Sequence, residues 1–181
     1  GGVTSFHFEF TERESDASPS KFSNEILQNW ILANSSHVID LAFFLGGDPT
    51  SITTEKCGSM SWHPNGAQFA GCGRTERGAI FSYCANWQSG GRWGLELMTR
   101  QSRLILRPLE ELSVQHIGSF KVDSVSIDDP LELRFKPGLY RQVESFLSGD
   151  QYHRFVPITQ QSKKASGIYS DIGGYAPTSY F

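Results

Sequence analysis

The sequence lacks the cysteine pattern of a disulfide framework or a zinc site. Its three cysteines, Cys57, Cys72 and Cys84, are odd in number and widely spaced, and they contain no CxxC pair. Such sites need paired thiolates at short, defined spacings. We therefore expect small buried thiols in a reducing compartment, and no metal site in this chain.

Long apolar runs are also missing. No stretch approaches the roughly 20 apolar residues that span a bilayer, and no basic segment followed by an apolar one opens the sequence. These absences predict a cytoplasmic location and no membrane partner. Gly1-Gly2, followed directly by a strand pattern, suggests that the sequence begins at a cut point.

The sequence has no excess of charge of one sign. The formal net charge is -3, and acidic and basic residues are interspersed, so there is no basic surface for nucleic acid. Hydrophobic residues make up 38% of the 181 residues and aromatic residues 13%. This composition excludes a disordered chain and is sufficient for the core of one domain.

A dinucleotide-binding motif is the most informative absence. Such a site needs a strand, a Gly-rich turn and a helix N-terminus, where backbone N–H groups approach the pyrophosphate. The two glycine runs, Gly90 to Gly94 and Gly71-Cys72-Gly73, are flanked by strand patterns and predict hairpin turns. We therefore predict no Rossmann domain and no cofactor-binding residue in this chain.

Strand patterns dominate the sequence. Residues Val3 to Phe10 alternate, with Phe6, Phe8 and Phe10 on one face, which is typical of a half-buried strand. Polar residues 11–23 predict a loop. Short turns separate seven further predicted strands, which favours antiparallel pairing in one large sheet. These strands lie near Ser51–Ser61, Ala67–Arg74, Ala79–Trp87, Trp93–Thr99, Ser102–Arg107, Glu111–Ile117 and Ser119–Ile127.

Three helices complete the pattern. Val38, Leu41, Ala42 and Leu45 share one helix face. Asn34 or Ser35 can cap the start of this helix, and Gly46-Gly47 can end it. Further helices are predicted over Gly138–Leu147 and Ile158–Tyr169. This order predicts an α+β domain over residues 1–172, with a large, predominantly antiparallel sheet and an irregular tail over 173–181.

Three stretches resemble the glucose–fructose oxidoreductase / inositol dehydrogenase / rhizopine-catabolism (Gfo/Idh/MocA) family. In that family a His opens a helix of the form H-x-x-D, which ends in L-x-G-x-P. The first matching stretch is Asn34 to Pro49. The second is Ala85-Asn86-Trp87, which leads through Arg92-Trp93 to the run Leu104–Glu110. The third is Phe135 to Tyr140. Their order extends the resemblance over nearly the whole chain.

The resemblance implies the fold of the family's C-terminal domain, with helices packed on one face of the sheet and a homo-oligomer formed through the other. It implies NAD or NADP as cofactor, bound mainly by an N-terminal domain absent from this chain. The implied substrate is a sugar, nucleotide sugar or cyclic polyol, oxidised or reduced at a hydroxyl or carbonyl. The alternative is a non-catalytic binding or oligomerisation module derived from that family.

The family's site histidine corresponds to His37. An imidazole titrates near neutral pH, so it can exchange a proton with a substrate hydroxyl; otherwise His37 is a helix-terminal residue bonded to backbone. The family usually has an aspartate four residues earlier, where this chain has Ala33. This departure favours the non-catalytic alternative.

Five residues are candidates for substrate binding. Asn34 could offer a hydrogen bond to a substrate hydroxyl. Lys21, Asn29 and Trp30 precede the motif, and the indole could stack on a sugar or pack in the core. Asp40 could orient His37 or act structurally. Asn86, Trp87, Arg92 and Trp93 flank one predicted hairpin, where they suit either carbohydrate binding or cross-strand packing.

Overall fold

The computed structural model describes residues 2–13, 17, 20–126, 130–149 and 155–175. Within these residues it contains one eight-stranded sheet, whose strands follow one another in the order β2-β3-β4-β1-β5-β6-β7-β8. The strands are β1 (Ser5–Phe10), β2 (Pro49–Cys57), β3 (Gln68–Thr75), β4 (Ile80–Asn86), β5 (Trp93–Met98), β6 (Ser102–Leu106), β7 (Leu112–His116) and β8 (Val122–Val125). The predicted end of the last strand at Ile127 lies outside the described residues.

Strand β1 occupies the centre of the sheet. It pairs in parallel with β4 and antiparallel with β5, and the other neighbouring strands are all antiparallel. The predicted, predominantly antiparallel sheet is confirmed. The predicted hairpin between β4 and β5 is wrong, because β1 lies between them. Burial explains this order, since Phe6, Phe8 and Phe10 are each at most 1% exposed.

The link from β4 to β5 crosses the end of β1. The indole N–H of Trp87 donates to the Phe10 carbonyl at 3.1 Å, and the Asn86 backbone N–H donates to Oγ1 of Thr11 at 3.2 Å. A Cβ on Gly91 would lie 2.9 Å from Cβ of Thr11, so a larger residue there would force the link away from the end of β1. The crossing places residues 91–93 beside the segment that follows β1.

Helices α2 (Ser36–Gly46) and α6 (Ser170–Gly173) pack on one face of the sheet, as predicted. Helix α2 contacts β1 and β5, while α6 contacts β2 and β3. In α2 the ring of Phe43 meets Phe6, Phe8 and Phe81 edge-on at 5.1–6.0 Å. The helices are α1 (Asn24–Gln28), α2 (Ser36–Gly46), α3 (Pro130–Arg134), α4 (Leu139–Ser148), α5 (Ile158–Lys164) and α6 (Ser170–Gly173), with π-helical turns at Ile31–Ser35 and Ala165–Tyr169.

The start of α2 differs from the prediction. The π-helical turn Ile31–Ser35 continues directly into α2, and the Ser35 side chain makes no capping hydrogen bond. Asn34 and Ser35 instead turn their side chains to a carboxylate from another part of the chain. The predicted end is confirmed, because Gly47 follows the last helical residue with a φ of 99°.

The cysteines and the end of the chain depart from expectation. Cys57, Cys72 and Cys84 are exposed, so the prediction of buried thiols is wrong for this chain. Cys84 lies between the buried residues Tyr83 and Ala85 on β4 and therefore faces away from the core. At the other end, Gly173 belongs to α6, and Tyr175 packs on the core. The remainder of the predicted tail, 176–181, lies outside the described residues.

Candidate functional site

A buried carboxylate lies where β1 ends. The alternation that turns Phe6, Phe8 and Phe10 towards the core reaches Glu12 two residues later, and Glu12 is only 6% exposed. A buried carboxylate needs hydrogen-bond donors, because an unpaired charge in the interior is strongly unfavourable.

Three side chains donate to Glu12. The Ser35 hydroxyl donates to Oε1 at 2.6 Å, and the Trp93 indole N–H donates to the same oxygen at 3.0 Å. The Asn34 amide is shared between Oε1 at 3.2 Å and Oε2 at 3.1 Å. Oε1 therefore receives three donors, whereas Asn34 is the one described donor to Oε2. The π-helical turn makes this possible by aiming two consecutive side chains at one carboxylate.

Burial raises the pKa of the Glu12 carboxyl above its ordinary value. The loss of hydration disfavours the charged form, and the hydrogen bonds from Ser35, Trp93 and Asn34 oppose this effect only in part. A raised carboxyl pKa beside a cavity is a common property of functional sites.

Glu12 forms part of the wall of a cavity of about 370 Å³, a size suited to a small molecule. The cavity combines two indoles with polar groups, and Arg13, Arg92 and Glu110 at its edge are exposed. Its lining residues are Thr11, Glu12, Arg13, Phe22, Trp30, Asn34, Gly91, Arg92, Trp93, Leu109 and Glu110.

Trp30 contributes an unusual donor to this wall. The residue is 3% exposed, and its ring meets Phe22 at 5.2 Å and Trp62 at 5.9 Å. Its indole N–H is shielded from solvent and makes no hydrogen bond of standard geometry, although it lies near enough to the Glu12 carboxylate to lower the pKa of that carboxyl. Buried polar groups are nearly always paired, so a ligand acceptor at this N–H would be favourable.

His37 lies beside the cavity, in the first turn of α2. Its side chain is exposed, and its ring centroid lies 6.2 Å from that of Trp93. His37 is not one of the lining residues, but Trp93 connects it to the cavity, because the Trp93 indole lies near the imidazole and donates to Glu12. Ala33 is exposed on the π-helical turn.

The structure brings together two of the predicted substrate-binding residues, Asn34 and Trp30. Lys21 and Asn29 do not line the cavity, and the Asn29 amide donates to the Glu25 carbonyl at 2.9 Å. Asp40 accepts hydrogen bonds from Tyr169 at 2.8 Å and Lys164 at 3.1 Å. Its contacts therefore join α2 to the C-terminal helices.

Glu12 was missed in the sequence because residues 11–23 are polar and predicted a loop. The period-two pattern did contain a signal. Continuing the face of Phe6, Phe8 and Phe10 by one step places Glu12 on the core side. A carboxylate in that register is out of place in a core and marks a position that needs donors.

The glycine runs do not fit a dinucleotide. A Cβ on Gly71 would lie 2.4 Å from the Thr53 carbonyl, and one on Gly73 would lie 2.0 Å from the Ser51 carbonyl, so both glycines serve strand packing. Gly91 serves the crossing over β1. The described residues thus provide no cradle for the phosphates of NAD or NADP. They contain no group of three or more potential metal ligands, and no described helix is long and apolar enough to cross a membrane.

No family model and no curated protein matches the sequence, but solved structures match the fold. UDP-N-acetylglucosamine 3-dehydrogenase from Acidithiobacillus ferrooxidans matches 97% of this chain with 12% identity and a TM-score of 0.66. Levoglucosan dehydrogenase in complex with NADH matches 95% with 16% identity and a TM-score of 0.65. A dehydrogenase from Clostridium difficile matches 95% with 14% identity and a TM-score of 0.68.

The chain spans about half the length of these dehydrogenases, namely 55%, 56% and 54% of the three chains. At such low identity the comparison shows the fold, and this fold agrees with the resemblance found in the sequence. The chain therefore has the fold of the Gfo/Idh/MocA-type dehydrogenases over the part of their length that it matches.

Proposed function

We propose that this chain is the substrate-side domain of a NAD(P)-dependent oxidoreductase that acts on a hydroxyl or carbonyl of a sugar, nucleotide sugar or cyclic polyol. The observation that carries the proposal is the cavity lined by two indoles and a buried carboxylate, with His37 beside one of these indoles, that of Trp93. Flat aromatic faces with a few polar groups suit a ring that carries hydroxyls.

The solved relatives support this substrate class. Structures of levoglucosan dehydrogenase hold NADH together with levoglucosan or with L-sorbose. The present chain shares that fold, and its cavity has the size and lining for a compound of this kind. NAD or NADP would be held by residues outside those described, since the glycine runs are used for strand packing.

His37 is the proposed proton-transfer residue. Its imidazole is exposed at the edge of the cavity, on the first turn of a well-packed helix, so it can meet a substrate hydroxyl that projects past Trp93. When the hydroxyl carbon is oxidised, the O–H proton must move to a base. His37 would accept that proton and return it in the reverse direction.

Replacing His37 by alanine in the full-length protein is expected to lower kcat by roughly 10²-fold or more, the usual scale for a general acid or base. The rate is followed by the absorbance of the reduced nicotinamide with L-sorbose, levoglucosan and UDP-N-acetylglucosamine as substrates. His116→Ala is the control, because His116 is exposed at the end of β7. Unchanged turnover in His37→Ala would remove His37 from the mechanism.

A non-catalytic binding module is the second candidate. It is favoured by Ala33, which leaves the helix without its usual carboxylate, and by the position of His37 outside the cavity lining. This candidate predicts that the same compounds bind to the full-length protein without any oxidation or reduction. Measurable turnover with any of them excludes it.

The proposal includes a homo-oligomer formed through the open face of the sheet. On β1 and β4, and just beyond the end of β6, this face carries polar residues, including the ion pair of Arg107 with Glu9 at 2.7 Å and the contact of His7 with Ser82 at 3.0 Å. An interface here would therefore be more polar than a simple apolar sheet face. Light scattering at high protein concentration tests it, and a strict monomer would contradict it.

A further inference from the structure

The buried carboxylate and the orphaned indole of the cavity form a complementary pair. Oε2 of Glu12 accepts one described hydrogen bond, from Asn34, and so retains capacity for another donor. The indole N–H of Trp30 makes no hydrogen bond of standard geometry and lies near the Glu12 carboxylate, whose pKa it lowers. Both side chains are more than nine-tenths buried and line the same cavity.

We propose that Glu12 and Trp30 form a hydroxyl-binding subsite, in which one substrate hydroxyl donates to Oε2 of Glu12 and accepts from Nε1 of Trp30. A hydroxyl group fits this pair because it has both a donor and acceptor lone pairs. A ketone or an ether would satisfy only Trp30, and an ammonium group would satisfy only Glu12. The assignment rests on the proposed function, since it concerns the same cavity.

The subsite also accounts for a carboxylate in an otherwise unfavourable position. Ala33 brings no carboxylate to the start of α2, whereas Glu12 brings one from the end of β1 to the adjoining residues Asn34 and Ser35. The donors Ser35 and Trp93 hold Oε1, which fixes the carboxylate plane and leaves Oε2 for the ligand. Glu12 is thus preorganised for a substrate hydroxyl.

The test is equilibrium binding to the full-length protein of L-sorbose, levoglucosan and UDP-N-acetylglucosamine at up to millimolar concentrations, followed by tryptophan fluorescence. Glu12→Gln keeps the size of the side chain but removes its charge. We expect this variant to bind the tightest of the three compounds roughly 10- to 100-fold more weakly, the usual effect of losing a hydrogen bond to a charged group. Glu111→Gln is the control with the same charge change, since Glu111 is exposed and outside the cavity.

Deoxy derivatives of that compound identify the bound hydroxyl. One derivative should lose about as much affinity for the unchanged protein as Glu12→Gln loses for the parent compound. The same derivative should lose markedly less affinity in Glu12→Gln than in the unchanged protein, because the hydrogen bond to the Glu12 carboxylate is already removed there. Additive losses for every derivative would show that Glu12 touches no hydroxyl and would overturn the subsite.

A second measurement follows the pH dependence of binding. Affinity should fall as the pH is lowered, because a protonated carboxyl no longer accepts at both oxygens, and the fall should begin above the ordinary carboxyl range since burial raises the pKa of Glu12. Arg13, Arg92 and Glu110 along the cavity, and His37 beyond Trp93, are common to the protein and to Glu12→Gln. Their contribution is removed by comparing the two, and a pH-independent affinity of the unchanged protein overturns the subsite.

The outcomes separate the two proposals. If the unchanged protein and Glu12→Gln bind equally well, the subsite is wrong and the proposed function stands. If none of the three compounds binds the unchanged protein, both are wrong. Near-ultraviolet circular dichroism of Glu12→Gln shows that its fold is retained, and if the variant does not fold, the deoxy derivatives and the pH dependence of the unchanged protein decide.

Discussion

Replacing Phe8 by alanine is expected to lower the free energy of unfolding by about 3–5 kcal/mol, the range for removing a buried phenylalanine ring. Phe8 is fully buried at the centre of the sheet. Its ring lies 5.3 Å from that of Tyr83 on β4 and 5.7 Å from that of Phe43 on α2. The change therefore opens a cavity between the sheet and the helix layer, where no single neighbour can fill it.

The measurement is denaturant unfolding of both proteins under the same conditions. Phe44→Ala is the matched control, because Phe44 lies in α2 next to Phe43 but is 63% exposed. This substitution should lower the free energy of unfolding by well under half as much as Phe8→Ala. Since domains have a total stability of about 5–15 kcal/mol, Phe8→Ala is expected to leave little folded protein at elevated temperature. Equal effects of the two substitutions would contradict the central position of β1.

Replacing His63 by alanine is expected to cost about 2–4 kcal/mol through lost packing and unpaired polar groups. His63 is fully buried, and its ring meets that of Trp87 at 4.8 Å. Its Nδ1 donates to the Gly66 carbonyl at 2.8 Å, so Nε2 accepts from the Tyr175 hydroxyl, also at 2.8 Å. The Tyr175 oxygen in turn accepts from the backbone N–H of Ile31 at 3.2 Å.

These hydrogen bonds link Tyr175 to Ile31, the first residue of the π-helical turn that carries Asn34 and Ser35. We therefore expect His63→Ala to weaken ligand binding in the cavity as well as stability. Denaturant unfolding measures the loss in the free energy of unfolding, and His116→Ala is the control at an exposed histidine. A loss no larger than that of His116→Ala would show that Tyr175 does not hold this turn.

The same histidine predicts a pH dependence of stability. Burial lowers the pKa of His63 below its ordinary value of 6.5, so the unfolded chain takes up a proton that the folded chain resists. Its contribution to the free energy of unfolding is complete above that value and is lost as the pH falls through the folded pKa. The contribution of Glu12 to stability changes with pH in the opposite direction, because burial raises the pKa of its carboxyl.

Unfolding curves of the protein and of His63→Gln, measured from about pH 7 to about pH 5, isolate this contribution, since Glu12 is present in both. The unchanged protein should lose stability more steeply than His63→Gln over this interval. Parallel curves would show that His63 takes up its proton equally readily in the folded and the unfolded chain, so that burial does not lower its pKa.

Local patterns in the sequence were sufficient for most of the elements. Alternation identified β1 and the face of Phe6, Phe8 and Phe10, and the spacing of Val38, Leu41, Ala42 and Leu45 identified α2. These predictions succeeded because burial of one face leaves a period of two in a strand and of 3.6 in a helix. The motif around α2 also led to the family, and the fold agrees with it.

Strand order and the partners of polar groups were not accessible in the same way. Nothing local shows that β1 inserts between β4 and β5, because pairing joins residues far apart in the sequence and is decided by which strand gains most from burial. Asp40 illustrates the second limit. The sequence spacing alone suggested that its carboxylate orients His37. In the structure this carboxylate accepts a hydrogen bond from Tyr169, which is 129 residues away in the sequence.

The sequence alone thus determined the α+β class, the dominant strands, the helix that carries His37 and the absence of a dinucleotide motif, because each leaves a local or compositional pattern. Only the tertiary structure decided that Glu12 is buried and that Ser35, Asn34 and Trp93 surround it. Trp93 lies 81 residues from Glu12 in the sequence. A buried carboxylate depends on donors that the folded chain brings together in space, and no periodicity records such a contact.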